Sequence, residues 1–183
     1  MQAARGTSLN HANGAAGEIA PALAPRRVRT FAVATVAVLA LDVASKVLAV
    51  RLLADRAPVD VVPGLLRLTL LRNPGAAFSL GTGLTVALTV IAAAVVVVVL
   101  RMAARLRDRG WALALGLLLG GALGNLTDRL LRQPGPLRGH VVDFIALPHW
   151  PVFNLADSAI CVAAALVALR SVQGIGLDGR RGS

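Results

Sequence analysis

Four long apolar runs divide the chain: Val28–Val50, Leu84–Leu100, Trp111–Leu131 and Val152–Leu169. Each approaches the ~20 residues that a helix needs to cross the hydrocarbon core of a bilayer. The block Val95–Val99 would suit a strand in water. In lipid a lone strand leaves its backbone donors and acceptors unpaired, so helices are predicted throughout. The fold class expected is an all-α membrane protein of four transmembrane helices, with one departure. Between the first two runs lies a segment of about residues 51–83, where Leu66-Arg67-Leu68-Thr69-Leu70 alternates apolar and polar side chains. That alternation predicts a short strand with one face against protein or membrane. Pro58, Pro63-Gly64 and Pro74-Gly75 punctuate the segment as turns. A small β-containing cap outside the membrane is expected there.

Four crossings place both termini on one side. Arg101, Arg105, Arg107 and Arg109 fall between the second and third runs, and Arg26, Arg27 and Arg29 precede the first. The positive-inside rule puts these in the cytoplasm and the cap outside. The bias is moderate, because Arg51, Arg56, Arg67, Arg72, Arg132 and Arg138 lie on the opposite side. Residues 1–27, rich in Ala, Gly, Pro and Asn without apolar period, read as a disordered cytoplasmic tail. Residues 28–170 form the membrane domain and 171–183 a C-terminal cytoplasmic tail. The first run is too long for the apolar part of a secretory signal and carries Asp42, Ser45 and Lys46. An uncleaved first helix is therefore expected.

Composition agrees with a membrane protein. The chain is 56% hydrophobic, with a mean hydropathy of +0.72, above the ~45–50% apolar content of soluble domains. The formal charge of +10 raises nucleic-acid binding. The arginines flank apolar runs, however, and aromatics make up only 3% of the chain, so interfacial anchoring is the reading and no nucleic-acid partner is expected. Cys161 is the single cysteine, which excludes an intramolecular disulfide. It is read as a small core residue rather than a nucleophile. His11, His140 and His149 do not form a ligand cluster, and no metal or cofactor is expected. No solenoid-type repeat is present.

The polar residues within the runs gather at one depth. Asp42 and Lys46 lie in the outer half of the first, Asn125, Asp128 and Arg129 at the outer end of the third, and Asn154 and Asp157 at the start of the fourth. Ionisable residues inside a membrane are expensive and tend to be functional. Asp42 and Lys46 stand four apart on one helix face, either as a structural pair or facing a substrate. Asp128 is read as structural, pinned in its ionised form by adjacent Arg129. Gly116, Gly120 and Gly124 recur every fourth residue, a spacing that lets another helix approach closely. Asn73-Pro74-Gly75 reads as a turn. Asp143 and Asp157 have no basic residue at helical spacing. Two carboxylates sharing a site hold a proton between them, so one can deprotonate water while the other protonates a carbonyl oxygen or leaving amine.

Five stretches carry a resemblance to a known family: Asp42-Val-Ala-Ser-Lys46, Arg72-Asn73-Pro-Gly75-Ala-Ala-Phe78-Ser, Gly120-Gly-Ala-Leu-Gly-Asn125-Leu-Thr-Asp128-Arg129, Val141-Val-Asp143-Phe144-Ile and Phe153-Asn154-Leu-Ala156-Asp157. In this order, across roughly residues 30–170, the chain resembles the lipoprotein (type II) signal peptidases. The resemblance implies an aspartyl endopeptidase of the bacterial inner membrane. Such an enzyme removes the signal peptide of prolipoproteins just before a diacylglyceryl-modified cysteine. It implies Asp143 and Asp157 as the catalytic dyad on the outer side of the membrane, with Asn73, Asn125, Arg129 and Asn154 as polar support. It also implies Asp42–Lys46 as a pair on the first helix, and the segment with Gly75 as a cradle over the site. Lipid-modified prolipoproteins and membrane phospholipid are the expected partners, and a monomer is the expected state.

Two other classes compete. A small transporter would spread polar residues through the full membrane depth, whereas the inner halves of the four runs are almost wholly apolar. A non-catalytic assembly factor binding through the glycine face gives no reason for two aspartates flanking the fourth run.

Overall fold

The computed structural model describes residues 26–75 and 83–181. All but the last two residues of the expected N-terminal tail lie outside them, as do Ala76, Ala77, Phe78 and Ser79. The described chain runs α1 (Val28–Leu53), β1 (Val59–Val62), β2 (Leu66–Asn73), α2 (Gly83–Ala103), α3 (Arg109–Leu131), β3 (Val141–Ala146) and α4 (Leu155–Val172). All four helices are long and apolar enough to cross a membrane. Their outward faces carry Val33, Val36, Leu48, Val90, Ile91, Val98 and Val162, all exposed. An apolar surface on this scale is stable only against lipid or protein.

Helix α3 is central, and glycines set its spacing from its neighbours. A Cβ on Gly116 would lie 2.7 Å from the Phe31 carbonyl oxygen of α1, and one on Gly120 would lie 2.7 Å from Val38 Cβ. One on Gly124 would meet the Asp42 carboxylate. On another face of α3, a Cβ at Gly121 would stand 2.6 Å from the Ala156 carbonyl oxygen of α4. The fourfold glycine spacing is therefore a true helix seam. Thr35 Oγ1 adds a polar stitch, 2.9 Å from the Phe31 oxygen and 3.3 Å from the Gly116 oxygen across the seam. Helix α2 joins through side chains, with Val99 buried in one cluster with Leu115 and Leu119.

The strands form one antiparallel sheet in the order β1-β2-β3. The alternating stretch at Leu66–Leu70 is β2, as its pattern predicts. Strand β3 departs from expectation: Val141–Ala146 comes from the connection between α3 and α4, so the cap is assembled from two separated segments rather than from residues 51–83 alone. Its pairing continues into the fourth apolar run. Phe153 N donates to Ile145 O at 2.9 Å and Ile145 N to Phe153 O at 2.8 Å. Helix α4 consequently begins at Leu155, three residues later than the hydropathy suggests.

At the end of the bundle away from the sheet, three segments are tied together. Arg27 N donates to Leu106 O at 2.9 Å, Arg107 N to Leu177 O at 2.9 Å, and Trp111 Nε1 to Ile175 O at 2.7 Å. Both ends of the described chain therefore lie at one end of the bundle, as four crossings require. Ile175 and Leu177 pack against the cluster of Leu106 and Trp111, so the residues after α4 fold back onto the α2–α3 connection. Cys161 is exposed on α4 rather than in the core. In a membrane helix both the inward and the lipid-facing sides are apolar, so a small apolar residue does not report burial.

The seam yields a direct test. Gly120→Val should lower unfolding stability in detergent by about 1–3 kcal/mol through over-packing. Val36→Ala, on the exposed face of α1, should change it by less than about 0.5 kcal/mol. Equal shifts for the two would contradict the seam.

Candidate active site

The polar residues meet where the sheet sits on the helices, around a buried lysine. Lys46, 1% exposed, places Nζ 2.7 Å from Asp42 Oδ2 and 3.0 Å from Asp128 Oδ2. It donates to Asn125 Oδ1 at 2.9 Å. A buried ammonium is tolerable only with such partners. Each acid also holds a second element. Asp42 Oδ1 accepts from Ala156 N, in the first turn of α4, at 2.9 Å. Asp128 Oδ2 accepts from Val142 N of β3 at 3.2 Å, and Asp128 Oδ1 pairs with Arg132. One network thus fixes α1, α3, α4 and β3 together. Within it Lys46 is enclosed by its own chain.

Asp128 takes its partners from Lys46 and Arg132, not from Arg129. Consecutive residues on a helix do not face each other. Arg129 instead feels the charges of Asp143 and Asp157 ahead of that of Asp128. Its Nη1 is buried without a hydrogen-bond partner among the described residues.

Asp143 sits on β3 and Asp157 in the first turn of α4. Three asparagine amides address them. Asn73 Nδ2 donates to Asp143 Oδ2 at 2.8 Å, Asn154 Nδ2 to Asp143 Oδ1 at 2.6 Å, and Asn125 Nδ2 to Asp157 Oδ1 at 2.8 Å. Asn154 Nδ2 also lies 3.3 Å from Asn125 Oδ1, linking the two halves. Each amide is oriented by its own oxygen. Asn73 Oδ1 accepts from Gly75 N at 2.8 Å, Asn125 Oδ1 from Lys46, and Asn154 Oδ1 from Asp157 N at 3.0 Å. With the oxygens occupied, the amide hydrogens point at the carboxylates. Gly75 is needed for this geometry: its φ is +106°, and a Cβ there would lie 2.8 Å from Leu88 Cδ1 of α2.

The start of α4 is a reciprocal cap. Asn154 accepts from Asp157 N, and Asp157 Oδ2 accepts from Asn154 N at 3.2 Å. This is the geometry of a capping box, with Asp in the usual Glu position. The Asn-x-x-Asp spacing was the available signal for it. No comparable signal marks Asp143 as part of a strand paired with the one that carries Asn73. All ten residues singled out from the sequence, Asp42, Lys46, Asn73, Gly75, Asn125, Asp128, Arg129, Asp143, Asn154 and Asp157, fall within this one cluster.

The two carboxylates differ in setting. Asp143 is 2% exposed, and burial pushes its pKa up from 3.8 to about 6. The bond from Asn73 opposes that rise most strongly. The charge of Asp157 adds to it, while the bond from Asn154 and the charge of Lys46 oppose it. Asp157 is half-buried, in the first turn of α4. A protonatable carboxyl beside a second carboxyl, both steered by neutral donors, is equipment for proton transfer.

Fold and site together define a multi-pass membrane protein with an aspartate pair at one end of its helix bundle. A sequence model of the signal peptidase (SPase) II family, peptidase family A8, matches residues 34–173. The lipoprotein signal peptidase of Mycobacterium tuberculosis (strain ATCC 25618 / H37Rv) is 50% identical over 177 residues, covering 96% of this chain and 87% of its own length. That of Rhodococcus jostii (strain RHA1) is 48% identical over 161 residues, covering 88% and 81%. A bacterial membrane enzyme solved by the in meso method at 1.9 Å superposes with a TM-score of 0.73 at 25% identity, over 83% of this chain and 98% of that one. The chain belongs to the signal peptidase II family of proteases.

The setting of Asp143 predicts a pH dependence of stability. Between pH 3.8 and about 6 the folded protein holds a proton on Asp143 that the unfolded chain has released. Its contribution is therefore full below that window and is lost as pH rises through it. Asp143→Asn removes this term. The melting temperature of the variant relative to wild type should rise as pH increases through the window and level off above it. A constant difference across the range would contradict the buried setting.

Proposed function

We propose that this chain is an aspartyl endopeptidase that removes the signal peptide of lipid-modified prolipoproteins, cutting before the lipidated cysteine, with Asp143 and Asp157 as its dyad. The observation that carries the reading is the asparagine frame. Two carboxyl groups from separate elements are aimed by Asn73, Asn125 and Asn154, and among the described residues no Lys or Arg forms an ion pair with either carboxyl. The names of the 48–50% identical relatives supply the substrate class.

In this mechanism the carboxylate of the pair takes a proton from water as the water oxygen bonds to the scissile carbonyl carbon. The protonated partner delivers its proton to the carbonyl oxygen. Collapse of the tetrahedral intermediate breaks the C–N bond: the leaving amine takes up the proton received from water, and a hydroxyl of the intermediate returns its proton to the partner carboxylate, restoring the pair. No side-chain nucleophile is consumed. Asn125 and Arg129 order the water and steady the developing charge on the carbonyl oxygen. Both aspartates and the three asparagines come from one chain, which suits a monomer.

A substrate anchored by lipid and by a membrane-spanning signal peptide is met at a bilayer boundary. The arginines around Arg101–Arg109 and Arg26–Arg29 lie at the end away from the dyad. The positive-inside rule then turns both termini to the cytoplasm and the dyad to the outer side of the bacterial inner membrane. Arg51, Arg56, Arg72 and Arg138 at the dyad end face lipid phosphates.

Cleavage of a diacylglyceryl-modified prolipoprotein in liposomes tests the assignment. Asp143→Asn and Asp157→Asn, each checked for folding, should each lose at least ~100-fold in turnover. Asn125→Ala should lose activity to a smaller extent. Unchanged cleavage by either aspartate variant removes that residue from the dyad. No cleavage by folded wild type overturns the substrate.

A further inference from the structure

Helix α2 contributes none of the ten residues above, yet two of its hydroxyls are buried at the dyad end. Thr85 is 2% and Thr89 1% exposed. A threonine in a membrane helix commonly satisfies its hydroxyl on the carbonyl four residues earlier in its own helix. Thr127 does so on α3, at 2.8 Å from Leu123 O. Thr85 does something else: its Oγ1 donates to the Pro74 carbonyl oxygen, outside its helix. One turn later Thr89 Oγ1 lies 2.8 Å from Thr85 O and 2.9 Å from Leu137 O. Leu137 belongs to the connection that leads into β3, so α2 grips both loops that feed the site.

The Pro74 carbonyl lies in the Asn73-Pro74-Gly75 turn. Proline has no N–H with which to brace the turn, and Gly75 is the residue type least able to restrict it. The contacts that hold this turn from α2 are Thr85 on the Pro74 oxygen and Leu88 beneath Gly75. The same turn sets the aim of Asn73: Gly75 N fixes the amide oxygen, and Nδ2 is left to donate to Asp143 Oδ2.

We propose that Thr85 is a positioning residue for cleavage, holding the Pro74 carbonyl so that Asn73 keeps its hydrogen bond to Asp143. The inference rests on the dyad reading above. It has a signature that simple packing lacks. The Asn73 bond favours the ionised form of Asp143 and is the strongest influence opposing its burial. Losing that bond moves the titration of Asp143 to higher pH. The other charges facing Asp143 are Asp157 from α4, Arg129 from α3 and Lys46 from α1. None of them bonds to Thr85, and α2 itself carries no charged residue nearer than Arg101 at its far end.

The test is the pH profile of kcat/KM for a diacylglyceryl-modified prolipoprotein with Thr85→Val, which keeps the shape and removes the hydroxyl. We expect kcat to fall about tenfold with KM within threefold, and the limb governed by Asp143 to move to higher pH. Thr85→Ser should restore both. In an Asn73→Ala background Thr85→Val should add almost nothing, because the two act in series. If Thr85→Val does not fold, Thr85→Ala takes its place in the same comparisons. A wild-type kcat and profile for the folded variant overturns the proposal. So does a loss of activity with an unmoved profile, or additivity with Asn73→Ala. Those results leave the dyad standing as long as the aspartate variants are inactive. Active aspartate variants would defeat the dyad itself.

Discussion

The burial of Lys46 is the constraint on which the rest of the structure depends. Removing a charge from water costs several kcal/mol even after relaxation, and deleting one partner of a buried pair costs ~3–5 kcal/mol. The ammonium is met by Asp42 from its own helix and by Asp128 and Asn125 from α3. Those residues in turn hold Ala156 at the start of α4, Val142 on β3 and Asp157. The register of three helices and a strand is thus tied to one side chain. The carboxyl pair inherits its geometry from that register.

The choice of asparagine around the pair follows from electrostatics. A guanidinium or ammonium bonded directly to each carboxyl would hold both ionised, and no member would be left with a proton to give. Neutral amides orient without adding charge. By hydrogen bonds Lys46 reaches Asp157 through Asn125, and the turn at Pro74 reaches Asp143 through Asn73. Among the described residues no Lys or Arg forms an ion pair with either carboxyl.

The helices and the depth of the polar cluster were legible in the chain because lipid imposes rules that water does not. A span must be continuously apolar, so Asp42, Lys46, Asn125 and Asp128 stand out as exceptions. The glycine seam was legible for the same reason, as spacing on a helix. Other features were hidden by locality. Val141–Ala146 is a short apolar stretch just before a longer one, and only its pairing with β2 and with Phe153 shows it as a strand. Asp128 and Arg129 are neighbours in sequence but turn to different partners. Thr85 and Thr89 gave no signal, since a hydroxyl in a membrane helix is ordinarily answered within the helix. Cys161 was misread because apolar character marks the core of a soluble protein but both faces of a membrane one.

Helix α3 meets α1 and α4 at Gly116, Gly120, Gly121 and Gly124, where even one added carbon has no room. It meets α2 through a cluster of ordinary side chains around Val99 and Leu115. The two kinds of contact constrain evolution differently. The seams admit only a hydrogen atom at each position, so drift there is closed off. The α2 contact accepts any set of apolar side chains of similar total volume. The α2 contact therefore leaves more freedom for substitution than the glycine seams do, apart from the hydroxyls of Thr85 and Thr89 that reach the loops beside the aspartate pair.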